Sequence, residues 1–169
     1  LRSKSGNIEI NTGSSATESS GSVTISTGVS AADQSGSITL SVGVSATKAG
    51  HINIAAGSVE AENTIGGTLS ISGGANLNSA SGSGGNVVIA AGAATAETGG
   101  QVVISGGQST QSTSGGIKLM TQDAGSAGVS GSIQVSTGDS TASTAGSITM
   151  TSGSSVNGAA GAITMEIGP

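Results

Sequence analysis

Two aliphatic residues separated by a single residue recur eleven times along this chain, each time inside the same eight-residue motif. The motif consists of Gly, any residue, aliphatic, any residue, aliphatic, two further residues and Gly. Successive motifs begin at slightly uneven intervals, and their opening glycines are Gly6, Gly21, Gly36, Gly50, Gly67, Gly85, Gly100, Gly115, Gly131, Gly146 and Gly161. A short unit repeated in register is typical of solenoids, in which neighbouring units stack on one another.

The aliphatic residues form two unbroken columns when the motifs are aligned. The first column consists of Ile8, Val23, Ile38, Ile52, Leu69, Val87, Val102, Ile117, Ile133, Ile148 and Ile163. The second column consists of Ile10, Ile25, Leu40, Ile54, Ile71, Ile89, Ile104, Leu119, Val135, Met150 and Met165. A closing glycine ends ten of the eleven motifs, and Gln122 takes its place in the other. Because side chains two positions apart in a strand share one face, both columns are predicted to face a common interior.

The repeat predicts an all-β fold, a β-solenoid similar to a parallel β-helix, with eleven coils of about 15 residues. Residues 1–169 are expected to form a single repeat array, and the start at Leu1 suggests a segment of a longer repeat protein. Coils about 4.8 Å apart would make a rod roughly 50 Å long. The aliphatic columns would form one wall of a thin core, opposite a weaker column formed by Ala16, Ala31, Ala46, Leu77 and Val156.

The two ends of this array are predicted to be association surfaces. One coil is not stable alone, because ordering a residue costs about 1 to 2 kcal/mol and each coil buries only two or three aliphatic side chains. Neither end carries a capping sequence, and an open strand ladder pairs readily with another chain. The residues available for end-to-end stacking are Ile8, Ile10, Ile163, Met165 and Ile167. The predicted partner is the chain itself, or further repeats of the same chain.

Composition excludes several other partners. The chain has no Phe, Tyr, Trp or Cys, a net charge of −5 and only 8% charged residues. Nucleic-acid binding is not expected, because no aromatic ring can stack on a base and the few basic residues form no stripe. These basic residues are Arg2, Lys4, Lys48 and Lys118. No apolar run is long enough to span a membrane.

No catalytic, cofactor-binding or metal site is predicted. The single histidine, His51, is expected to be a solvated surface residue, and one histidine among 33 serines gives no sign of an activated nucleophile. Asp33, Asp123 and Asp139 are scattered, unlike the regularly placed aspartates of calcium-binding β-roll repeats. We therefore do not expect this protein to be an enzyme.

Hydroxyl side chains dominate the predicted outward face, since 52 residues are Ser or Thr. The outward residues considered for ice or surface binding are Thr24, Thr39, Ser70, Thr149 and Thr164. The plainer interpretation of this face is a solvated surface, because Thr is a good strand former. Val88 and Val103 are apolar members of the same outward column, and they suggest a lateral contact between rods. The hydroxyls also allow O-linked glycans.

Units such as Gly21–Gly28 (GSVTISTG) and Gly131–Gly138 (GSIQVSTG) resemble the Gly/Ser/Thr-rich tandem repeats of algal and other protist surface proteins and of some phage tail fibres. This resemblance implies a structural component of an extracellular filament, fibre or surface appendage, without an active site. A second resemblance, to the antifreeze solenoids of insects and grasses, implies ice binding as the alternative. Glu9, Val88, Val103 and Lys118 depart from the regular threonine face of that group. Sugar binding by the longer segment from Ala75 to Gly84 is a third hypothesis, although it lacks aromatic platforms.

Overall fold

The structure, a computed structural model, describes residues 5–78 and 80–168. Within these two ranges the backbone forms no α-helix and no β-strand. The prediction of an all-β fold is therefore wrong, and with it the β-solenoid of eleven stacked coils. Arg2 and Lys4, which entered the charge argument, lie outside the described residues.

The backbone hydrogen bonds explain why no solenoid forms. Stacked coils of about 15 residues would pair each residue with its counterpart one full repeat further along the chain. The backbone-to-backbone hydrogen bonds of the described ranges instead span shorter stretches, the shortest from Gly125 to Gly128 and the longest from Gly74 to Gly85. In the five linking segments that these bonds close, the chain therefore returns to its own start, and within the described ranges no backbone bond joins residues one full repeat apart.

Ten linking segments connect the motifs, each running from the residue after one closing position to the residue before the next opening glycine. Each contains a single bend or turn, at 16–18, 31–33, 46–47, 61–63, 80–81, 95–97, 110–112, 126–128, 141–143 and 156–158. Asn63, in the fourth of these, has a φ of 57°, which is the left-handed conformation that asparagine tolerates in turns.

A serine hydroxyl holds five of these bends. In each, the serine lies two residues after the closing glycine, and its Oγ accepts a hydrogen bond from a backbone N–H two or three residues further on. The donor–acceptor distances are 2.9–3.3 Å, and the serines are Ser15, Ser30, Ser45, Ser109 and Ser140. Such hydroxyl-to-backbone bonds favour turns over regular secondary structure, which fits the placement of serine at this position.

The predicted thin core is also absent from the described ranges. No residue there is buried, and only Ser109 and Thr121 are half-buried. A folded protein of 15.6 kDa exposes roughly 7,200 Å², whereas this chain exposes 16946 Å². Leu77 and Val156, which we expected to line the second wall, are almost fully exposed.

The chain divides into two units, Leu1–Val87 and Val88–Pro169. The first unit contains the five complete motifs that open between Gly6 and Gly67, and the second contains the five that open between Gly100 and Gly161. The motif that opens at Gly85 contains the boundary. Within the described part of each unit the same motif-and-bend pattern repeats without regular secondary structure.

Candidate functional site

The two aliphatic columns form the most extensive chemical feature of the structure. In ten motifs the first-column side chain is 48–60% exposed, and in ten motifs the second-column side chain is 61–72% exposed. The exceptions are Ile8, at 90%, in the first motif and Met165, at 87%, in the last. Both exceptions belong to the first and last motifs of the series. The columns are thus regular in the structure, but they face solvent.

The residues expected at the ends and on the lateral contact are exposed as well. Val88 and Val103 are 84% and 73% exposed, more than the column residues Val87 and Val102 that precede them. Ile167, beyond the second column of the last motif, is almost fully exposed. The expected stacking residues Ile8, Ile10, Ile163 and Met165 belong to the columns and are exposed, and their role in stacking stays a prediction.

A backbone hydrogen bond closes the base of five linking segments, where the closing and opening glycines meet. In each, the N–H of the opening glycine donates to the carbonyl oxygen of the preceding closing glycine, over 2.8–3.0 Å. The donor and acceptor pairs are Gly67 and Gly57, Gly85 and Gly74, Gly100 and Gly92, Gly115 and Gly107, and Gly161 and Gly153. The two ends of each such segment are therefore held together whatever the segment contains.

The other five bases are built differently. There a β-branched side chain precedes the closing position and lies against the opening glycine, whose added Cβ would sit 3.0–3.4 Å from it. The side-chain and glycine pairs are Thr12 and Gly21, Thr27 and Gly36, Val42 and Gly50, Thr121 and Gly131, and Thr137 and Gly146. No backbone bond joins the closing and opening residues at these five described bases. At one of them the Thr137 hydroxyl donates to the Gly146 carbonyl oxygen over 3.3 Å.

The residue before the closing position therefore determines the kind of base. It is small wherever the glycine-to-glycine bond forms, being Ala56, Gly73, Ala91, Gly106 or Ser152. A β-branched side chain carries two heavy atoms on Cβ, and these occupy the space through which the two backbones would otherwise approach. The size of the residue before the closing position, small or β-branched, is the sequence feature that indicates which kind of base forms.

Charge is concentrated in the linking segments. Seven of the nine acidic residues lie there: Glu18, Asp33, Glu60, Glu62, Glu97, Asp123 and Asp139. Within the motifs the charged residues are Glu9, Lys118 and Glu166, and the only other titratable side chain is that of His51. The motifs are consequently apolar or neutral over most of their length, and the linking segments are acidic.

The outward hydroxyls considered for ice binding stay a prediction, because the described ranges contain no strand that would hold them in a lattice. Thr24, Thr39, Ser70, Thr149 and Thr164 are all exposed. A flat lattice would need neighbouring strands about 4.8 Å apart to hold these side chains at a fixed spacing. The described ranges contain no strand, so the structure provides no such spacing.

The longest linking segment, 75–84, is organised by two asparagines. The Asn76 side chain donates to the Ser81 carbonyl oxygen over 3.1 Å and accepts from the N–H of Asn78 over 2.8 Å. The Asn78 Oδ1 accepts from the N–H groups of Ala80 and Ser81. Gly82 follows with a φ of 112°, and an added Cβ would collide with the Asn76 amide. Ser79, inside the segment once considered for sugar binding, lies outside the described residues.

Concave or metal-binding sites do not occur in the part of the chain that the structure describes. That part has no cavity and no group of three or more His, Cys, Asp or Glu residues able to hold a metal ion. It also has no helix of the length and apolar character needed to cross a bilayer. No family model, curated protein or solved structure matches this chain.

Proposed function

We propose that this chain is a structural subunit of an extracellular filament, fibre or surface appendage, in which it associates through its exposed aliphatic columns. One observation carries the proposal: both columns remain exposed to nearly the same degree in motif after motif. Large contiguous apolar surfaces on a protein usually mark a site of association. Here the surface is distributed along the chain, which suits a component that is joined to its neighbours over much of its length.

Burial of the columns supplies the driving force. Fully burying a Val, Leu, Ile or Met side chain is worth about 1.5 to 3 kcal/mol relative to leaving it in water. The columns contain 22 such side chains, and those that the structure describes are all about half exposed or more. Even partial burial of this set exceeds the entropic cost of bringing chains together, which is on the order of 4 to 15 kcal/mol.

The extracellular location is part of the proposal. It is supported by the resemblance of the motifs to surface and tail-fibre repeats and by the 52 Ser and Thr residues, which offer many acceptors for O-linked glycans. The acidic linking segments would keep the outside of an assembly hydrated, because net charge favours solubility.

Electron microscopy of the purified chain, combined with sedimentation velocity over a range of concentrations, tests the proposal. We expect elongated assemblies whose abundance rises with concentration, since association follows mass action. A chain that remains monomeric at high concentration, and forms no fibres in native material, would exclude a structural role through self-association.

A further inference from the structure

We propose that the partner of each chain is a second copy of the same chain, lying beside it with motif against motif and with the linking segments left in solvent. This inference rests on the proposed function and adds the identity of the partner and the contacting surface. It replaces contact at the chain ends with contact along the length.

The exposed area favours contact along the length. The surface of 16946 Å² exceeds that of a folded protein of the same mass by roughly 9,700 Å². A stable interface needs only about 800 Å² from each partner. End-to-end stacking would cover a few residues near Ile8 and Met165, and the aliphatic pairs of the motifs between them would stay exposed. Contact along the motifs of a unit reaches the aliphatic pairs of that unit.

A copy of the chain matches this surface in a way that an unrelated partner does not. The columns repeat at uneven intervals along the sequence, and the bases vary in kind from one linking segment to the next. Four consecutive bases, from Gly57–Gly67 to Gly107–Gly115, are closed by the backbone bond, and the three before and two after them are held by β-branched side chains. A second copy carries the same series of motifs and bases.

The charge distribution selects the motifs over the linking segments as the contact. Burying a charged side chain without a partner is costly, and seven acidic residues lie in the linking segments. Two copies that met through these segments would bring like charges together. The motifs carry only Glu9, Lys118 and Glu166 as charged residues, so two copies can meet there with little loss of hydration.

The backbone of the motifs is free to take part. Within the described ranges, the N–H and C=O groups between the opening and closing positions make no backbone hydrogen bond. Unpaired rows of this kind are templates for pairing with another chain, and main-chain hydrogen bonds then add affinity to the side-chain contacts. Such pairing would run between chains, and it differs from the coil-on-coil stacking that the structure contradicts.

Two substitutions of equal charge test the inference on the full chain. Ile104→Glu places a carboxylate in the second column, and Gln111→Glu places one in the linking segment that follows the same motif. We expect Ile104→Glu to raise the dissociation constant at least about tenfold and Gln111→Glu to leave it nearly unchanged, as measured by sedimentation velocity and native mass spectrometry. Ile104→Gln should also weaken association, because it removes the apolar side chain without adding charge.

Met165→Glu separates lateral contact from contact at the ends. Under the inference it weakens association no more than Ile104→Glu does, whereas end-to-end stacking would make it the most damaging of these substitutions. Equal effects of Ile104→Glu and Gln111→Glu would overturn the inference, as would a dominant effect of Met165→Glu.

The fibre proposal and this inference can fail separately. If the wild-type chain forms a discrete oligomer that Ile104→Glu dissociates, but no fibre, the inference stands and the fibre role falls. If fibres form and Ile104→Glu leaves them intact, the fibre role stands and the inference falls. A wild-type chain that stays monomeric overturns both.

Discussion

Gly106 and Gly107 are adjacent in the sequence, but their surroundings differ. A Cβ on Gly106 would collide with the carbonyl oxygen of Gly115 and lie 3.0 Å from its carbonyl carbon. A Cβ on Gly107 would meet nothing within 4 Å. The requirement for glycine at the first position is therefore steric, and it arises from the close approach of two backbones at the base of the linking segment.

Gly106→Val should open this base, because only small residues precede the closing position where the bond forms, whereas Gly107→Val should not. The bond at risk is the one from the Gly115 N–H to the Gly107 carbonyl oxygen, and such a bond is worth about 0.5 to 1.5 kcal/mol. We expect hydrogen-exchange protection of the Gly115 amide, measured by NMR, to fall about two- to twelvefold in Gly106→Val. Equal protection in both variants would show that the close approach does not control the bond.

The residue before the closing position can be exchanged between the two kinds of base. Ala91→Thr should weaken the 2.8 Å bond from the Gly100 N–H to the Gly92 carbonyl oxygen, because the added methyl and hydroxyl groups occupy the space between the backbones. Thr27→Ala should have the opposite effect and let the Gly36 N–H approach Gly28. Amide exchange at Gly100 and Gly36 reports both changes. If hydrogen-exchange protection at the two glycines changes in the same direction, the residue before the closing position does not determine the kind of base.

The hydrogen bond that closes the base of a linking segment does not depend on the number of residues in the segment. The bond between closing and opening glycines is 2.8 Å long both in the short segment from Gly92 to Gly100 and in the longer one from Gly74 to Gly85. Chain entropy agrees with this tolerance, because lengthening a closed loop to this extent costs only about 0.3 kcal/mol. Closure of a linking segment thus depends mainly on the residues at its two ends.

Replacing residues 75–84 with the sequence of residues 93–99 should therefore leave the base intact. The replacement removes the asparagine network around Asn76 but retains Gly74 and Gly85, whose bond closes the segment. We expect the Gly85 amide to keep its protection to within about twofold, corresponding to the small entropic difference. As a contrasting change, Gly82→Ala within the native segment should disorder its bend, because φ is positive there and no space exists for a Cβ. A loss of Gly85 protection in the replacement would show that the segment interior supports the base.

The sequence predicted the motif and the regularity of its columns, but not the path of the linking segments. Period 2 and the opening glycines identified the repeating unit, and the structure shows the same regularity in the exposure of each column. The choice between pairing with the next motif and closing at the base of the linking segment depends on local contacts at that base. Small residues such as Ala91 and turn-forming serines such as Ser140 favour local closure, and a count of hydrophobic period does not register either of them. The sequence also predicted self-association, at the chain ends or laterally through Val88 and Val103, and this stays a prediction.

The chain as a whole has apolar motifs and acidic linking segments. Its association should therefore differ from that of an ion-paired complex in its response to temperature and to salt. Cooling from about 25 °C to about 5 °C should weaken assembly, because the hydrophobic driving force falls on cooling. Raising the salt concentration from about 0.05 M to about 0.5 M should maintain or strengthen assembly, because it screens repulsion among the acidic segments. Light scattering measures both responses. Assemblies that dissolve in salt would indicate that ion pairs, and not the aliphatic columns, hold the chains together.

The closed bases also bear on how this chain could change over time or by design. When a bond closes the base of a linking segment, the length and sequence of the segment have little effect on the motifs on either side. The bonds of Gly92–Gly100 and Gly74–Gly85, which close segments of different length, have the same length. The linking segments are therefore ten places where insertions, epitopes or grafted peptides can be displayed in a row while the scaffold stays the same. Variation should accumulate there first, and the opening glycines of the bases, where an added Cβ would meet atoms at 3.0–3.4 Å, should be the last positions to tolerate it.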